Sequence, residues 1–439
     1  MCRAIRGSAL LVGRIIHESG ERPAIRLSYR RAMGTTDGTT GDSKVGVAAR
    51  TVLVRVSGRD RPGITAGIMG ILAGADAEVQ DVEQVVIRGR LNLGLVIVVP
   101  GGRDLLKDLL LFGWEREVEI DFEVVEESSD EPKVGGHAVT VLGERLGPED
   151  LRVVTESIAD VDGNIERIVR LSRFPVWSYE LLVRCADGDR LRAALLAACS
   201  RHPTFEVAVS REGLARRSQR LVVLDVDSTL IQDEVVDMVA VEAGVGPEVA
   251  AITELAMQGD LDYEVSLRER VALLAGTDVG VLARVADRVR LTPGARTFCR
   301  TLHRLGYTTA VVSGGFIEVV GVLAERLGID HAHANRLEVV DGRLTGALVG
   351  PVVDRAGKAR LLREIAEAEG VPLEQVVAVG DGANDLDMLA AAGLGIAFNA
   401  KPTVRASADA TVSVPYLDAV LFLLGVSREE IEEADRLDP

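Results

Sequence analysis

The chain has 439 residues, 47% of them hydrophobic, and carries 50 Lys and Arg against 67 Asp and Glu, for a net charge of −17. That length accommodates roughly two to four domains with real cores. The acidic balance excludes a general nucleic-acid binder, but a local cation cluster can still hold an anionic substrate. No uncharged apolar run reaches the roughly 18 residues of a membrane helix. Cys2, Cys185, Cys199 and Cys299 show no C-x-x-C spacing; they read as buried or incidental thiols of a reducing, cytoplasmic compartment.

Residues 1–48 carry eight Lys or Arg against four Asp or Glu and end in the linker-like Gly34-Thr35-Thr36-Asp37-Gly38-Thr39-Thr40-Gly41. Arginines interrupt any apolar core of a targeting peptide. The stretch is expected to be a disordered tail, with Met33 an alternative start of translation. Val52–Ser57 alternates like a strand, and Asp60-Arg61-Pro62-Gly63 then leads into a helix pattern over Ile64–Gly74. Strands around 77–88 and 91–99, a helix near 103–112 and a strand near 117–125 complete a βαββαβ order. A similar order recurs from His137 to Ser210, which points to two copies of one small domain.

The two copies, expected over 49–130 and 135–213, resemble the ACT domain, a small amino-acid-sensing module. The D-R-P-G turn is the most specific feature, and the second copy has Glu144-Arg145-Leu146-Gly147 in its place. The resemblance implies an effector site that includes Asp60 and Gly63, at a subunit interface of a homodimer. A ferredoxin-like pair that only mediates dimerisation is the alternative.

Leu221–Leu224 reads as a buried strand that delivers Asp225-Val226-Asp227-Ser228-Thr229. Carboxylates two residues apart at a strand end face the same side. One can attack an electrophile while the other handles protons beside a divalent cation; a plain Asp/Ser turn is the alternative. Tyr307–Val312 is a second strand, ending in Ser313-Gly314-Gly315 ahead of a helix. A hydroxyl and backbone N–H groups at such a turn can cradle a phosphate. Lys358 opens a helical stretch and can neutralise a phosphate, although taken alone it reads as a surface lysine. Gln375–Val379 is a third strand, ending in Gly380-Asp381-Gly382-Ala383-Asn384-Asp385, which offers oxygen ligands for Mg²⁺. Asp341-Gly342 between two strand-like runs signals a hairpin. The residues after Tyr416 end in an acid-rich helix pattern, so 426–439 is expected as a surface tail.

Taken in order, D-V-D-S-T, S-G-G, Lys358 and G-D-G-A-N-D resemble the four motifs of the haloacid-dehalogenase-like phosphatases, over roughly 216–425. Glu234, Met257, Leu261-Asp262-Tyr263-Glu264 and Ser266–Val271 resemble the cap of the phosphoserine phosphatases. The resemblance implies a Rossmann-like core with a helical cap over about 233–290. It implies hydrolysis of O-phospho-L-serine, the last step of L-serine biosynthesis, with Mg²⁺ as cofactor and L-serine as a regulator acting through the ACT-like modules. It makes Asp225 the nucleophile and Asp227 the general acid and base, with Ser313, Gly314 and Lys358 on the phosphoryl oxygens. Mg²⁺ would be held by the Asp225 carboxylate, the Asp227 carbonyl and Asp381. Asn384 and Asp385 would support the metal waters and Lys358. Glu234 would hold the substrate ammonium and Arg270 its carboxylate, with Met257 and Tyr263 as walls; at Tyr263 the family usually has Phe. Rival readings are another phosphatase of the superfamily, a dehalogenase, which has no need of Asp227, and a non-enzymatic serine sensor.

Overall fold

The computed structural model describes residues 10–16, 24–30, 50–99, 105–125, 135–212, 220–258 and 262–437. The Gly34–Gly41 run and Met33 lie outside them. The chain divides into two compact units, 1–132 and 133–439.

In the first unit, β1 (Leu10–Ile16) and β2 (Ala24–Arg30) pair antiparallel, inside the stretch expected as a tail. Their apolar and alternating sequences suit strands. β3 (Arg50–Arg59), β4 (Glu78–Ile87), β5 (Arg90–Val99) and β6 (Val118–Val124) form a four-stranded sheet in the order β4-β5-β3-β6. Helices Ile64–Gly74 and Leu105–Arg116 complete the βαββαβ order. Val52, Val54 and Val56 alternate inward from β3 and pack with Ile64, Ile68, Leu72, Leu105 and Leu109. β4 is an outer strand on which Val79, Val82, Val85, Val86 and Ile87 are all exposed. The Asp60–Gly63 turn is held by Asp60 N–H donating to Gly89 C=O at 2.9 Å and by an Arg61–Glu117 ion pair at 2.7 Å. Gly63 begins the helix at φ 91°, and a Cβ there would meet nothing within 4 Å. The glycine is therefore required by its left-handed backbone, which costs side-chain-bearing residues strain, and not by a close neighbour.

The second unit begins with the second βαββαβ copy: β7 (Gly136–Gly143), helix Pro148–Ala159, β8 (Asn164–Ser172), β9 (Trp177–Arg184), helix Gly188–Arg201 and β10 (Glu206–Arg211). β11 (Leu221–Leu224) is buried along its whole length, as the strand of a sheet covered on both faces must be. β12 (Thr308–Phe316), β13 (His331–Val340), β14 (Arg343–Val349), β15 (Val376–Gly380), β16 (Leu394–Phe398) and β17 (Ala410–Val412) follow. Asp341 and Gly342 both have positive φ, so the β13–β14 hairpin closes on the I′-type turn that this pair favours. Between β11 and β12, helices Val235–Ala243, Gly246–Gln258, Tyr263–Ala272 and Gly280–Arg288 form the helical insertion. The C-terminal helix Arg428–Leu437 buries Ile431 and pairs Asp435 with Arg300 and Arg304.

One eleven-stranded sheet runs through this unit in the order β14-β13-β12-β11-β15-β16-β17-β10-β7-β9-β8. The strands from β12 and β13 through β17 are parallel to their neighbours, and β17 pairs antiparallel with β10. The two modules expected as separate thus share a sheet, because the otherwise open edge of β17 takes β10 as its partner. Glu206 fastens the seam. Buried at the start of β10, it accepts from Ser413 N–H (2.6 Å), Ser413 Oγ (2.5 Å) and Arg405 Nη2 (3.0 Å). Asp409 adds a second tie, accepting from Arg192 at 2.6 Å and Gly395 N–H at 2.8 Å.

Glu206→Gln replaces an acceptor-only group with an amide whose NH₂ faces donors. It should destabilise the unit by about 2 kcal/mol, read as a lower urea midpoint. An unchanged midpoint would show that the seam holds without this carboxylate.

Candidate active site

The carboxyl ends of the parallel strands assemble the site, the position expected for an open α/β sheet. Asp225 leaves β11, its N–H donating to Val379 C=O on β15 at 2.9 Å. The chain then turns tightly over Val226–Leu230, closed by Ile231 N–H to Val226 C=O at 3.0 Å. Ser228 sits at φ 57° in this turn, an uncommon conformation for a residue with a side chain. The turn aims the two carboxylates at different partners. Asp225 Oδ1 accepts from Lys358 Nζ at 2.6 Å. Asp227 accepts from Val235 N–H at 2.7 Å and from Ser313 Oγ at 3.0 Å.

Ser313-Gly314-Gly315 belongs to β12 rather than to a turn after it. The β12–β13 register breaks between Val312 and Phe316, so these residues bulge out of the ladder. A bulge leaves backbone groups unpaired at one point of an otherwise closed sheet. Ser313 Oγ accepts from Gly315 N–H at 2.8 Å. Asn335, on β13 and 2% exposed, fixes the bulge from behind: its Nδ2 donates to Gly314 C=O and its Oδ1 accepts from Val353 N–H, both at 2.8 Å. Asn335 was not singled out in the sequence, although an asparagine inside the strand run Ala332–Leu337 is the signal that marks it.

Lys358 lies in the first turn of helix Arg355–Ala368, capped by the Asp354 side chain on Gly357 N–H at 2.7 Å. It is 1% exposed and bridges Asp225 and Asp385, the latter at 2.7 Å. Asp385 also accepts from Gly382 N–H at 2.9 Å, and a Cβ on Gly380 would come within 2.5 Å of the Asp385 carboxyl carbon. Asn384 packs its Oδ1 against Gly382. Carboxylate oxygens of Asp225, Asp381 and Asp385 lie within 4.8 Å of one another. Thr229 Oγ1 donates to Asp381 at 3.3 Å.

The electrostatics follow from burial and crowding. Burial raises the Asp225 pKa, and the neighbouring Asp385 charge raises it further against the pull of Lys358. Burial likewise raises Asp227, and burial with the Asp385 charge pushes Asp381 up to about 6. Burial alone would pull Lys358 down, but Asp225 and Asp385 outweigh it and hold the ammonium above its ordinary value. The cluster thus gathers more carboxylates than Lys358 can balance. Hard oxygen donors with surplus negative charge fit a divalent cation such as Mg²⁺.

The helical insertion contributes a second group of side chains. Glu234 accepts from Ser228 Oγ at 2.9 Å, and burial together with the Asp227 charge pushes it up to about 7. Tyr263 and Arg270 lie on the same helix, Tyr263–Ala272. Arg270 Nε donates to Ser266 C=O at 3.3 Å and pairs with no acid among the described residues, unlike Arg268, which pairs with Glu264. Met257 falls on helix Gly246–Gln258, but its side chain lies outside those described. Asp60 and Gly63 belong to the other compact unit.

Comparison with known proteins agrees with this geometry. Residues 222–390 match the haloacid dehalogenase-like hydrolase family, and residues 50–123 and 135–210 each match an ACT domain. A phosphoserine phosphatase of Streptomyces coelicolor is 52% identical over 88% of this chain and 95% of its own length. One of Mycobacterium tuberculosis is 48% identical over 88% of this chain and 96% of its own. A crystal structure of a probable phosphoserine phosphatase from Vibrio cholerae superposes with a TM-score of 0.51 at 35% identity, covering 67% of this chain and 88% of that one. With its hydrolase core, two ACT domains and near-full-length relatives, the chain belongs to the phosphoserine phosphatase family of haloacid dehalogenase-like hydrolases.

Proposed function

We propose that this enzyme hydrolyses O-phospho-L-serine to L-serine and phosphate through a phosphorylated Asp225, with Mg²⁺ as cofactor. The observation that carries the reading is the buried Asp225–Lys358 pair at 2.6 Å, set beside the Ser313-Gly314-Gly315 bulge. Asp225 attacks phosphorus as the bond to the serine oxygen breaks, and Asp227 gives that oxygen a proton. The Asp227 carboxylate then takes a proton from water, whose oxygen attacks phosphorus and releases Asp225. The raised pKa of Asp227 suits a group that must hold a proton before passing it on. Ser313, Gly314 N–H and Lys358 would stabilise the phosphoryl oxygens. The Asp225 carboxylate, the Asp227 main-chain carbonyl and Asp381 would hold Mg²⁺, which supplies charge neutralisation for the phosphoryl group and the acidic cluster. Asn384 and Asp385 would support that shell and Lys358. We take 233–290 as a lid that excludes bulk water while closed.

For the amino-acid end, Glu234 would bind the ammonium and Arg270 the carboxylate, with Met257 and Tyr263 as walls. A bidentate guanidinium suits a carboxylate, and Arg270 has no competing acid among the described residues. The working domains are 49–130, 135–213 and 216–425. The free state of Cys185, Cys199 and Cys299 supports a cytoplasmic location; no described helix is long and apolar enough to cross a membrane. The exposed, apolar outer strand β4 supports a homodimer built on the first ACT domain. L-serine would act as effector at the Asp60–Gly63 turn.

Asp225→Asn should abolish phosphoserine turnover, because an amide forms no acyl-phosphate. Near-normal phosphate release from that variant would remove the mechanism.

Arg270→Ala should cost about 2–5 kcal/mol in kcat/KM for phosphoserine and far less for p-nitrophenyl phosphate. Glu234 titrates at about 7 and attracts an ammonium only when deprotonated. The kcat/KM for phosphoserine should therefore rise with pH through that value, and Glu234→Gln should lose this limb. Equal losses on both substrates, or no such limb in the wild type, would show that these residues support the fold instead.

Gly63→Val forces a β-branched residue into φ 91° and should distort the effector turn. Serine inhibition that is non-competitive with phosphoserine should disappear. Its persistence would confine serine to the active site and leave the ACT domains as a dimer platform.

A further inference from the structure

Tyr263 stands at the start of lid helix Tyr263–Ala272, directly after the N-cap Asp262, whose side chain accepts from Glu264 and Val265 N–H. Its hydroxyl lies over Gly314, the central residue of the β12 bulge: a Cβ built there would approach Tyr263 Oη to 2.2 Å. Gly314 is thus bare because the phenol occupies the space that a side chain would need. The ring is mostly shielded, and the charges around it are Lys358, Arg270, Asp227 and Asp225. Yet the hydroxyl makes no hydrogen bond to any described residue. Unlike the Ser266 and Thr301 hydroxyls, which are fully buried without a partner, the Tyr263 hydroxyl keeps some solvent access, so a ligand oxygen can take the place of water there. Asp225 Oδ1, both Asp227 oxygens and Gly314 C=O already accept from other donors: Lys358, Val235 N–H with Ser313, and Asn335.

We propose that the Tyr263 hydroxyl donates a hydrogen bond to a phosphoryl oxygen of the substrate held at the bulge, so that one face of a single lid helix reads both ends of the substrate. This rests on the phosphoserine reading. Tyr263 and Arg270 are seven residues apart, two turns of helix, and so project from the same face, about 10.5 Å apart along the axis. Arg270 meets the carboxylate and Tyr263 the phosphate. Burial pushes the Tyr263 pKa up to about 12, so the phenol stays protonated and can only donate toward a phosphate. Lid closure is then coupled directly to phosphate occupancy.

The test uses the full-length enzyme with Mg²⁺ and compares wild type with Tyr263→Phe, which keeps the ring and removes only the hydroxyl. Inhibition by orthophosphate, turnover of phosphoserine and of p-nitrophenyl phosphate, and the melting temperature are measured. Loss of one hydrogen bond to a charged group should weaken orthophosphate about tenfold. It should lower kcat/KM for both substrates by a similar factor and leave the melting temperature unchanged. An orthophosphate constant equal to that of the wild type overturns the proposal, whether or not turnover or melting changes. Orthophosphate is a product of any phosphate monoester. A wild type that ignores phosphoserine but whose orthophosphate inhibition depends on Tyr263 would therefore overturn the substrate reading and retain the hydroxyl's role.

Discussion

The buried contact of Lys358 with Asp225 and Asp385 is the constraint on which the catalytic unit depends. It joins three elements distant in sequence: the end of β11, the first turn of helix Arg355–Ala368, and the loop after β15. An ammonium and two carboxylates with almost no exposure are costly to desolvate, and the cost is offset only when every partner is in place. Removing one partner of such a group typically costs about 3–5 kcal/mol. The surrounding structure therefore holds each one tightly. Asp354 caps the helix that carries Lys358, Gly382 N–H takes the second oxygen of Asp385, and β15 binds the main chain of Asp225.

The same packing gives the site its chemistry. Asp225, Asp227, Asp381 and Asp385 lie around one internal cation; burial raises the first three, and repulsion from Asp385 adds to it at Asp225 and Asp381. Such a cluster is poised to accept positive charge and to hold a proton. Clustered groups with displaced pKa values are characteristic of reacting sites. The two carboxylates of D-V-D differ in role because the turn through Ser228 separates their partners: a lysine for one, a hydroxyl and a backbone N–H for the other.

The second ACT domain is built into the catalytic sheet. β10 covers the edge of β17, and Glu206 and Asp409 satisfy donors on both sides of the seam. β17 lies beside β16, and β16 beside β15, the strand that ends at the acidic loop. A sheet edge that would otherwise present unpaired backbone groups is closed by a neighbouring module of the same chain. The first ACT domain keeps its outer strand β4 exposed, with valines and an isoleucine along it. The two copies of one fold differ at their last strands: β6 ends its sheet, whereas β10 continues into β17.

The sequence by itself determined the class of fold, and its resemblance to a known family named the candidate residues of the site. Strict alternation in β3, continuous apolar runs in β11 and β15, the Asp341-Gly342 turn and the repeat of βαββαβ order are local signals, set by side-chain period and turn chemistry. The acidic, Ser-Gly-Gly, lysine and Gly-Asp motifs stand at strand ends or helix starts, and it is their resemblance to the four motifs of the haloacid-dehalogenase-like phosphatases that grouped them. Only the tertiary structure decided the rest. Lys358 reads locally as a surface lysine, and its burial depends on two carboxylates 133 and 27 residues away. Ser313-Gly314-Gly315 reads as a turn but is a bulge, because β12 resumes pairing at Phe316 opposite Asn335. The Glu206 seam and the position of the Tyr263 hydroxyl over Gly314 have no local signature, and Asn335 shows only as a polar residue inside a strand run, without its partners. Each is a long-range hydrogen bond or contact, and its partner is chosen by how the strands and the lid pack rather than by neighbouring residues.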